Sequence, residues 1–407
     1  MKQSMSDLAI FGGSPTFQEK LHVGRPNVGN RQRFLERIDD ILDRRWFTNN
    51  GPYVQEFEQR IAKMVGAKHC IAMCNGTVGL EILIRASGLS GEVIVPSMTF
   101  IATAHALQWQ EITPVFCDIE PKTYNLDPKC VEKVITPRTT GIIGVHLFGR
   151  PCDTEALAEI AKRRKLKLLY DAAHAFGCSC KGRMIGSFGD AEMFSFHATK
   201  FFNTFEGGAI VTNNDELAGK MRLMKNFGFA GYDNVIYIGT NGKMSEVSAA
   251  MGLTGLESLE KFISANHRNY REYKRELEGT KGIKFMKYDE AEKCNYQYII
   301  LEVDEEVIGV TRDQLVEILH AENILARRYF YPGCHQMEPY RSYFPHAALL
   351  LRETERIVKR VLALPTGMAV GEEEIHRICQ ILRFVVDNGA EIRRRMGNAK
   401  RPKSQDV

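Results

Sequence analysis

HCIAMC (69–74), EVIVPS (92–97), TPVFCDI (113–119), GIIGVHLFG (141–149), LKLLYDAA (166–173), EMFSFHA (192–198) and GGAIVTN (207–213) follow one another as short apolar runs. Between them lie amphipathic stretches such as VGLEILIRASG (78–88) and DTEALAEIAKRRK (153–165). Apolar runs of about four to eight residues alternating with helical patterns predict strands buried on both faces of a mostly parallel sheet. The class is α/β. Downstream the pattern changes. MSEVSAAMGLTGLESLEKFISANHRNYREYKRELEG (244–279) predicts one long helix, and its Ala249, Ala250, Gly252 and Gly255 let another backbone come close. A strand at YQYIILEV (296–303), a helix at TRDQLVEILHAE (311–322), an aromatic loop and a last helix at GEEEIHRICQILRFVVDNG (371–389) form a smaller α+β domain. The expected organisation is an N-terminal arm (1–29), a large domain (30–257), a small C-terminal domain (258–390) and a basic, disordered tail (391–407).

Composition narrows the class of function. With 44% hydrophobic and 26% charged residues, a chain of 407 residues can bury a large core and is not disordered. The net charge of +4 argues for no nucleic-acid partner. The basic excess in RRRMGNAKRPK (393–403) reads as a solvated, frayed end. The close cysteine pairs, Cys70/Cys74 and Cys178/Cys180, lack a double C-x-x-C spacing, so no metal site is expected. MKQSMSDLAIFGG carries no charged leader with a long apolar stretch, and no apolar run approaches the ~18 residues that span a bilayer. A cytoplasmic enzyme with reduced thiols and no membrane partner is expected.

Chemistry enters at Lys200, the single cation in MFSFHATKFF, 29 positions (200 − 171) beyond Asp171. An amine held among Phe194, Phe196, Phe201 and Phe202 loses hydration, which lowers its pKa. That is the state in which a lysine condenses with an aldehyde. A carboxylate at the end of a buried strand is the usual partner of a pyridinium nitrogen. Together they suggest pyridoxal 5′-phosphate (PLP). Each alone has a plainer reading, a lysine snorkelling from a strand end and an aspartate capping a helix.

Other segments support the pair without deciding the matter. NGTVGLEILI (75–84) follows a strand and opens a helix, so Gly76 and Thr77 can offer backbone N–H groups to a phosphate; an ordinary turn is the alternative. It matches neither a dinucleotide fingerprint nor a Walker A loop. Ser195 could bind the same phosphate or satisfy nearby backbone. His174, three residues past Asp171, could lie on the cofactor or be structural. Phe100 could stack on a planar ring or belong to the core. ARRYFYPGCHQMEPYR (326–341) mixes Arg327, Arg328 and Arg341 with Tyr331, His335 and other aromatics, a composition suited to a phosphorylated, ring-bearing ligand or to an ordinary surface loop.

In this order NGT, PSMTFIATA, DIEPKTYNLDP, GVHLFGRPCD, YDAAHAFG, SFGDAEMFSFHATK and EGGAIVTNND resemble the DegT/StrS-type nucleotide-sugar aminotransferases, a branch of the fold-type-I PLP enzymes. The likeness runs from about residue 49 to 368. It implies that Lys200 is the cofactor-binding lysine and proton carrier, that Asp171 pairs with the pyridine nitrogen, and that His174 lies near the ring hydroxyl. It further implies that Phe100 stacks on the ring, and that Gly76, Thr77 and Ser195 form the phosphate cup. Asn241, in GTN, matches an asparagine reaching the phosphate from a neighbouring subunit, implying a homodimer with shared active sites. Lys243 stands where many relatives carry Arg. A related dehydrating branch has histidine in place of the lysine, so retained Lys200 favours transamination.

SFHATKFFNTFEGG, GTNGKMSEVSAAMGL and ARRYFYPGCH look most similar to enzymes that aminate dTDP-4-keto-6-deoxy-D-glucose at the 4-position. L-Glutamate as donor, 2-oxoglutarate as leaving product and ping-pong kinetics are then implied. Arg327 or Arg328, with Tyr331 and His335, are the expected substrate contacts. GDP- or UDP-linked or 3-keto sugars remain alternatives on the same scaffold, as does a non-catalytic binding protein.

Overall fold

In a computed structural model, residues 2–399 are described. The seven apolar runs are seven strands: β1 (His69–Met73), β2 (Glu92–Pro96), β3 (Thr113–Cys117), β4 (Thr139–Val145), β5 (Lys167–Asp171), β6 (Ala191–Ser195) and β7 (Gly208–Thr212). They form one sheet in the order β1-β7-β6-β5-β4-β2-β3. Strands β6-β5-β4-β2-β3 are mutually parallel, while β7 runs antiparallel to both of its neighbours. Almost every residue of these strands is buried, which is why they read as continuous apolar runs rather than as alternating ones.

Helices cover both faces. Among them α1 (Pro52–Val65) has proline at its start, and α2 (Gly76–Ala86) is capped by the Asn75 side chain, which accepts the Val78 N–H. The expected helix over 244–279 is two helices, α3 (Glu246–Glu257) and α4 (Leu259–Glu276). Ser258 breaks it by leaving helical geometry (φ −112°, ψ 6°). After α4 come the antiparallel strands β8 (Ile283–Phe285), β9 (Ile299–Val303) and β10 (Val361–Leu364), with α5 (Arg312–Ala321) and α6 (Glu372–Asp387). Among the described residues no helix is long and apolar enough to cross a membrane.

One terminal expectation needs correction. The chain does not fray at residue 391: Gly389–Ala399 is a helix, α7, whose Ile392 and Met396 are buried in the small-domain core. These apolar residues, four apart, form a stripe among three arginines. The remainder of the basic tail, 400–407, lies outside the described residues. The N-terminal arm, 1–29, packs on the small domain. Leu8, Phe17 and Val23 join the same core, and Leu21–His22 pairs in parallel with Ile324–Leu325.

Buried Glu322 fastens this segment. It accepts the Ala9 N–H (2.8 Å), the Thr16 N–H (2.8 Å) and the Thr16 hydroxyl (2.7 Å), and it pairs with Lys2 (2.9 Å). Glu322→Ala strands those donors in a buried setting and is expected to lower folding stability by about 2–4 kcal/mol, read from urea unfolding.

Candidate active site

The site forms where the parallel strands end, at the carboxyl edge of the large sheet, the usual place for ligands in open α/β sheets. Asp171 is the last residue of β5. Its Oδ2 accepts the Thr103 hydroxyl (2.8 Å) and its Oδ1 the Ala173 N–H (3.1 Å). Burial raises the pKa of this carboxyl, against the opposing pull of those hydrogen bonds and of Lys200.

Next to β5, strand β6 ends at Ser195, and the chain turns back through a loop that carries Lys200. Backbone bonds from Lys200 N–H to the His197 carbonyl (2.8 Å) and from Thr204 N–H to the Phe196 carbonyl (2.9 Å) close the loop. Residues from the N-terminus brace it. The Asn27 side chain donates to the Phe201 carbonyl, the Asn203 side chain donates back to the Asn27 carbonyl, and a Cβ at Gly24 would lie 2.6 Å from the Thr199 carbonyl.

Of the four phenylalanines near Lys200 in sequence, Phe194, Phe196 and Phe202 pack on one another and on Phe57 and Phe176. The aromatic group the amine itself meets is Tyr298: Nζ donates to the phenolic oxygen at 3.3 Å. Burial brings the Lys200 pKa down to about 8, and Asp171 works the other way. His174, also buried, accepts the Phe148 N–H at Nδ1 (3.2 Å). Its pKa falls well below the usual imidazole value through burial first and Lys200 second, so the ring is neutral and carries its proton on Nε2. It lies parallel to Phe148 and Phe330, with centroids 6.1 and 5.7 Å away. Phe100 is 58% exposed, and its ring meets Phe330 edge-on.

The turn after β1 brings Gly76 and Thr77 to the first two positions of α2, where a helix cannot satisfy its own N–H groups. Glycine at 76 lets this end approach β6: a Cβ there would lie 3.1 Å from both Met193 Sδ and Ser195 Cβ, and 3.4 Å from Ser195 Oγ. Glycine at 208 serves the same corner, since a Cβ would lie 2.9 Å from the Gly76 nitrogen and 2.8 Å from the Phe194 carbonyl oxygen. Free helix N–H groups beside a hydroxyl make a seat for an oxyanion. Asn241 is exposed, next to Gly242, whose carbonyl accepts the Cys74 N–H in the same chain. Lys243 Nζ donates to the Asn226 side chain (3.0 Å) and lies over Phe227.

The expected substrate contacts separate. Arg328 is paired with Asp313 (3.1 Å) and, with Arg312, lies over Tyr331, so Arg328 and Tyr331 belong to the start of α5. His335 is buried between the Ser97 hydroxyl (2.6 Å) and Glu355 (2.8 Å), which makes it a tie between the turn after β2 and the short helix Arg352–Ile357 rather than an open contact. Arg327 keeps an exposed guanidinium over Tyr329, with no acidic partner among the described residues. Thr103 and Tyr298 join the candidate site without having been singled out in the sequence. Thr103 follows PSMTF by three positions on a helix and carried no signal of its own; Tyr298 lay inside an ordinary strand pattern.

The chain belongs to the DegT/DnrJ/EryC1/StrS aminotransferase family, which matches residues 29–383. It is 37% identical over 368 residues to a dTDP-4-amino-4,6-dideoxy-D-glucose transaminase of Shigella dysenteriae, covering 90% of this chain and 100% of that protein. It is 35% identical over 367 residues to a GDP-perosamine synthase of Caulobacter vibrioides, covering 89% of this chain and 97% of that one. The crystal structure of DesI in the presence of its TDP-sugar product superposes with a TM-score of 0.93 at 49% identity, covering 97% of this chain and all of that one. The chain is a sugar aminotransferase of the α/β, fold-type-I class.

Proposed function

We propose that the protein transfers an amino group from L-glutamate to the 4-keto position of a nucleotide-linked 4-keto-6-deoxy sugar, with PLP as cofactor and dTDP-4-amino-4,6-dideoxy-D-glucose as product. The observation that carries this reading is the placement of the half-buried Lys200 amine on the loop after β6, beside the strand that ends at buried Asp171, with Tyr298 the hydroxyl it meets. The donor set fits the cofactor: an enclosed amine, a buried carboxylate, a neutral imidazole with a donor to spare, and a glycine-lined helix terminus for the phosphate. When bound, PLP supplies an electron sink that makes a carbon-bound proton of the amine labile.

The chain's own residues do the rest. Asp171 keeps the pyridine nitrogen protonated, Phe100 offers a ring to stack on, and His174 presents Nε2–H to the ring oxygen. Gly76, Thr77 and Ser195 hold the phosphate. Lys200 is the cofactor lysine and moves the proton between donor and acceptor carbons; an amine with a pKa near the working pH suits both directions. Arg327, free of acidic partners among the described residues, is the cation left to meet the sugar diphosphate or the donor carboxylate.

A homodimer with shared sites fits the surface. Trp46, Phe47, Phe227, Tyr232 and Ile238 are exposed, and Asn49, Asn50, Asn226 and Lys243 line one cavity beside them. Asn241 and Lys243 are then the residues offered to a second copy's phosphate. The reaction belongs in the cytoplasm, where the ten cysteines, all unpaired, stay reduced.

Gly208→Ala is expected to weaken PLP binding at least about tenfold, because the new methyl group crowds the Gly76 N–H and one hydrogen bond to a charged group is worth about 1.5–3 kcal/mol. Equilibrium titration of the cofactor-free chain reads the effect. The substrate is tested by loading the enzyme with pyridoxamine 5′-phosphate and offering dTDP-, GDP- and UDP-linked keto-sugars, following the cofactor's absorbance. Fastest conversion with dTDP-4-keto-6-deoxy-D-glucose supports the proposal. Preference for a GDP-sugar overturns the nucleotide, and no response to any overturns the reaction.

A further inference from the structure

Lys200 stands on the large domain, yet the hydroxyl to which its amine donates comes from the small one. Tyr298 immediately precedes β9 (Ile299–Val303), 98 residues from Lys200, and its hydroxyl lies 3.3 Å from Nζ. Its ring is 4% exposed and fixed on three sides, with centroids 4.6 Å from His174, 5.4 Å from Phe148 and 6.3 Å from Tyr329. Its backbone is held as well. The Tyr288 hydroxyl donates to the Tyr298 carbonyl (3.0 Å) and lies within 2.9 Å of the Phe148 carbonyl, joining the start of β9 to the loop after β4.

The charged groups facing this amine are few: Asp171 raises the pKa of Lys200, and Lys200 in turn lowers that of neutral His174. Burial also pushes the Tyr298 phenol well above its ordinary value, so the hydroxyl stays protonated and neutral. A neutral phenol presents oxygen lone pairs, and a protonated amine has three N–H bonds to place. That oxygen is the one to which the amine donates.

We propose that Tyr298 is a positioning residue for Lys200: its phenolic oxygen accepts from the free amine and holds it beside His174 and Asp171, so that seating of the small domain sets where the proton-carrying nitrogen stands. The inference rests on the role of Lys200 given above. The contact exists when Lys200 is not bonded to cofactor, which is the stage at which the lysine must carry a proton. Holding the protonated amine also stabilises it, so the hydroxyl favours the charged form of Lys200.

The test uses the full-length, cofactor-free chain. Tyr298→Phe keeps the ring, its stacking and the carbonyl contact and removes the oxygen alone. Reductive methylation of Lys200, followed by peptide mass spectrometry across pH, reports the fraction of neutral amine. The midpoint in Tyr298→Phe is expected to fall by about one pH unit relative to wild type, since a hydrogen bond to a charged group is lost. In the cofactor-loaded enzyme kcat falls with KM for the keto-sugar unchanged. Thermal unfolding within a degree or two of wild type accompanies both. An unchanged or raised midpoint overturns the proposal, as does a KM that rises while kcat holds. Failure of the underlying reading looks different: Lys200→Ala would then turn over substrate normally, whatever Tyr298→Phe does.

Discussion

Lys200→Ala reduces turnover by more than about 10⁴-fold, because it removes both the covalent anchor for the cofactor and the group that moves the proton. Steady-state assay with L-glutamate and the keto-sugar checks this, and a rate within tenfold of wild type would remove Lys200 from the chemistry. A pH dependence accompanies it. The amine has a pKa of about 8, brought down by burial. Reaction of the cofactor-free wild-type chain with PLP therefore accelerates about tenfold per pH unit up to about pH 8 and levels above it, as neutral amine accumulates. A lysine in water would go on accelerating to about pH 10.4.

Asp171→Asn separates function from stability. In catalysis the amide cannot keep a pyridine nitrogen protonated, and loss of one such electrostatic partner costs on the order of 10²–10³-fold in kcat. In folding the sign reverses. The Asp171 carboxyl has a raised pKa because burial outweighs its hydrogen bonds, so above its unfolded pKa the ionised group opposes folding. That penalty is present at neutral pH and is relieved as pH falls through the folded pKa. The cofactor-free Asp171→Asn variant, whose amide keeps an oxygen for the Ala173 N–H and turns an N–H₂ toward the Thr103 oxygen, is expected to match or exceed wild type in thermal stability at pH 7. The difference should shrink toward pH 4. Marked destabilisation of the variant at pH 7 would mean that the carboxylate is structurally required.

The parts of this arrangement that the sequence displays are those where local composition and burial agree. Each strand of the large sheet is covered on both faces, so each reads as an unbroken apolar run, and a charge in such a run stands out. Asp171, at the end of β5, stands out for that reason, and Lys200, on the loop after β6, stands out as the single lysine among phenylalanines. Tyr298 was hidden because a tyrosine inside YQYIILEV is what any strand carries, and its partner lies on another domain.

Composition around Arg327 and His335 suits a ligand or an ordinary surface loop equally, and does not say which way each side chain turns. Asp313 and Glu355, from neighbouring helices, claim Arg328 and His335. The break at Ser258 lacks glycine or proline, and the apolar pair in α7 sits among arginines, so tertiary packing decided both. The residues that brace the lysine loop, Gly24 and Asn27, carry no pattern at all. Their importance comes from where the packed N-terminal segment delivers them.

In the proposed reaction, Lys200 carries the nitrogen to which the cofactor binds. Incubating the full-length chain with PLP, reducing with borohydride and mapping the modified peptide tests this directly. The expected result is a single phosphopyridoxyl group on Lys200, absent from Lys200→Ala. A label on another lysine, or none on a chain whose fold is intact, would contradict it.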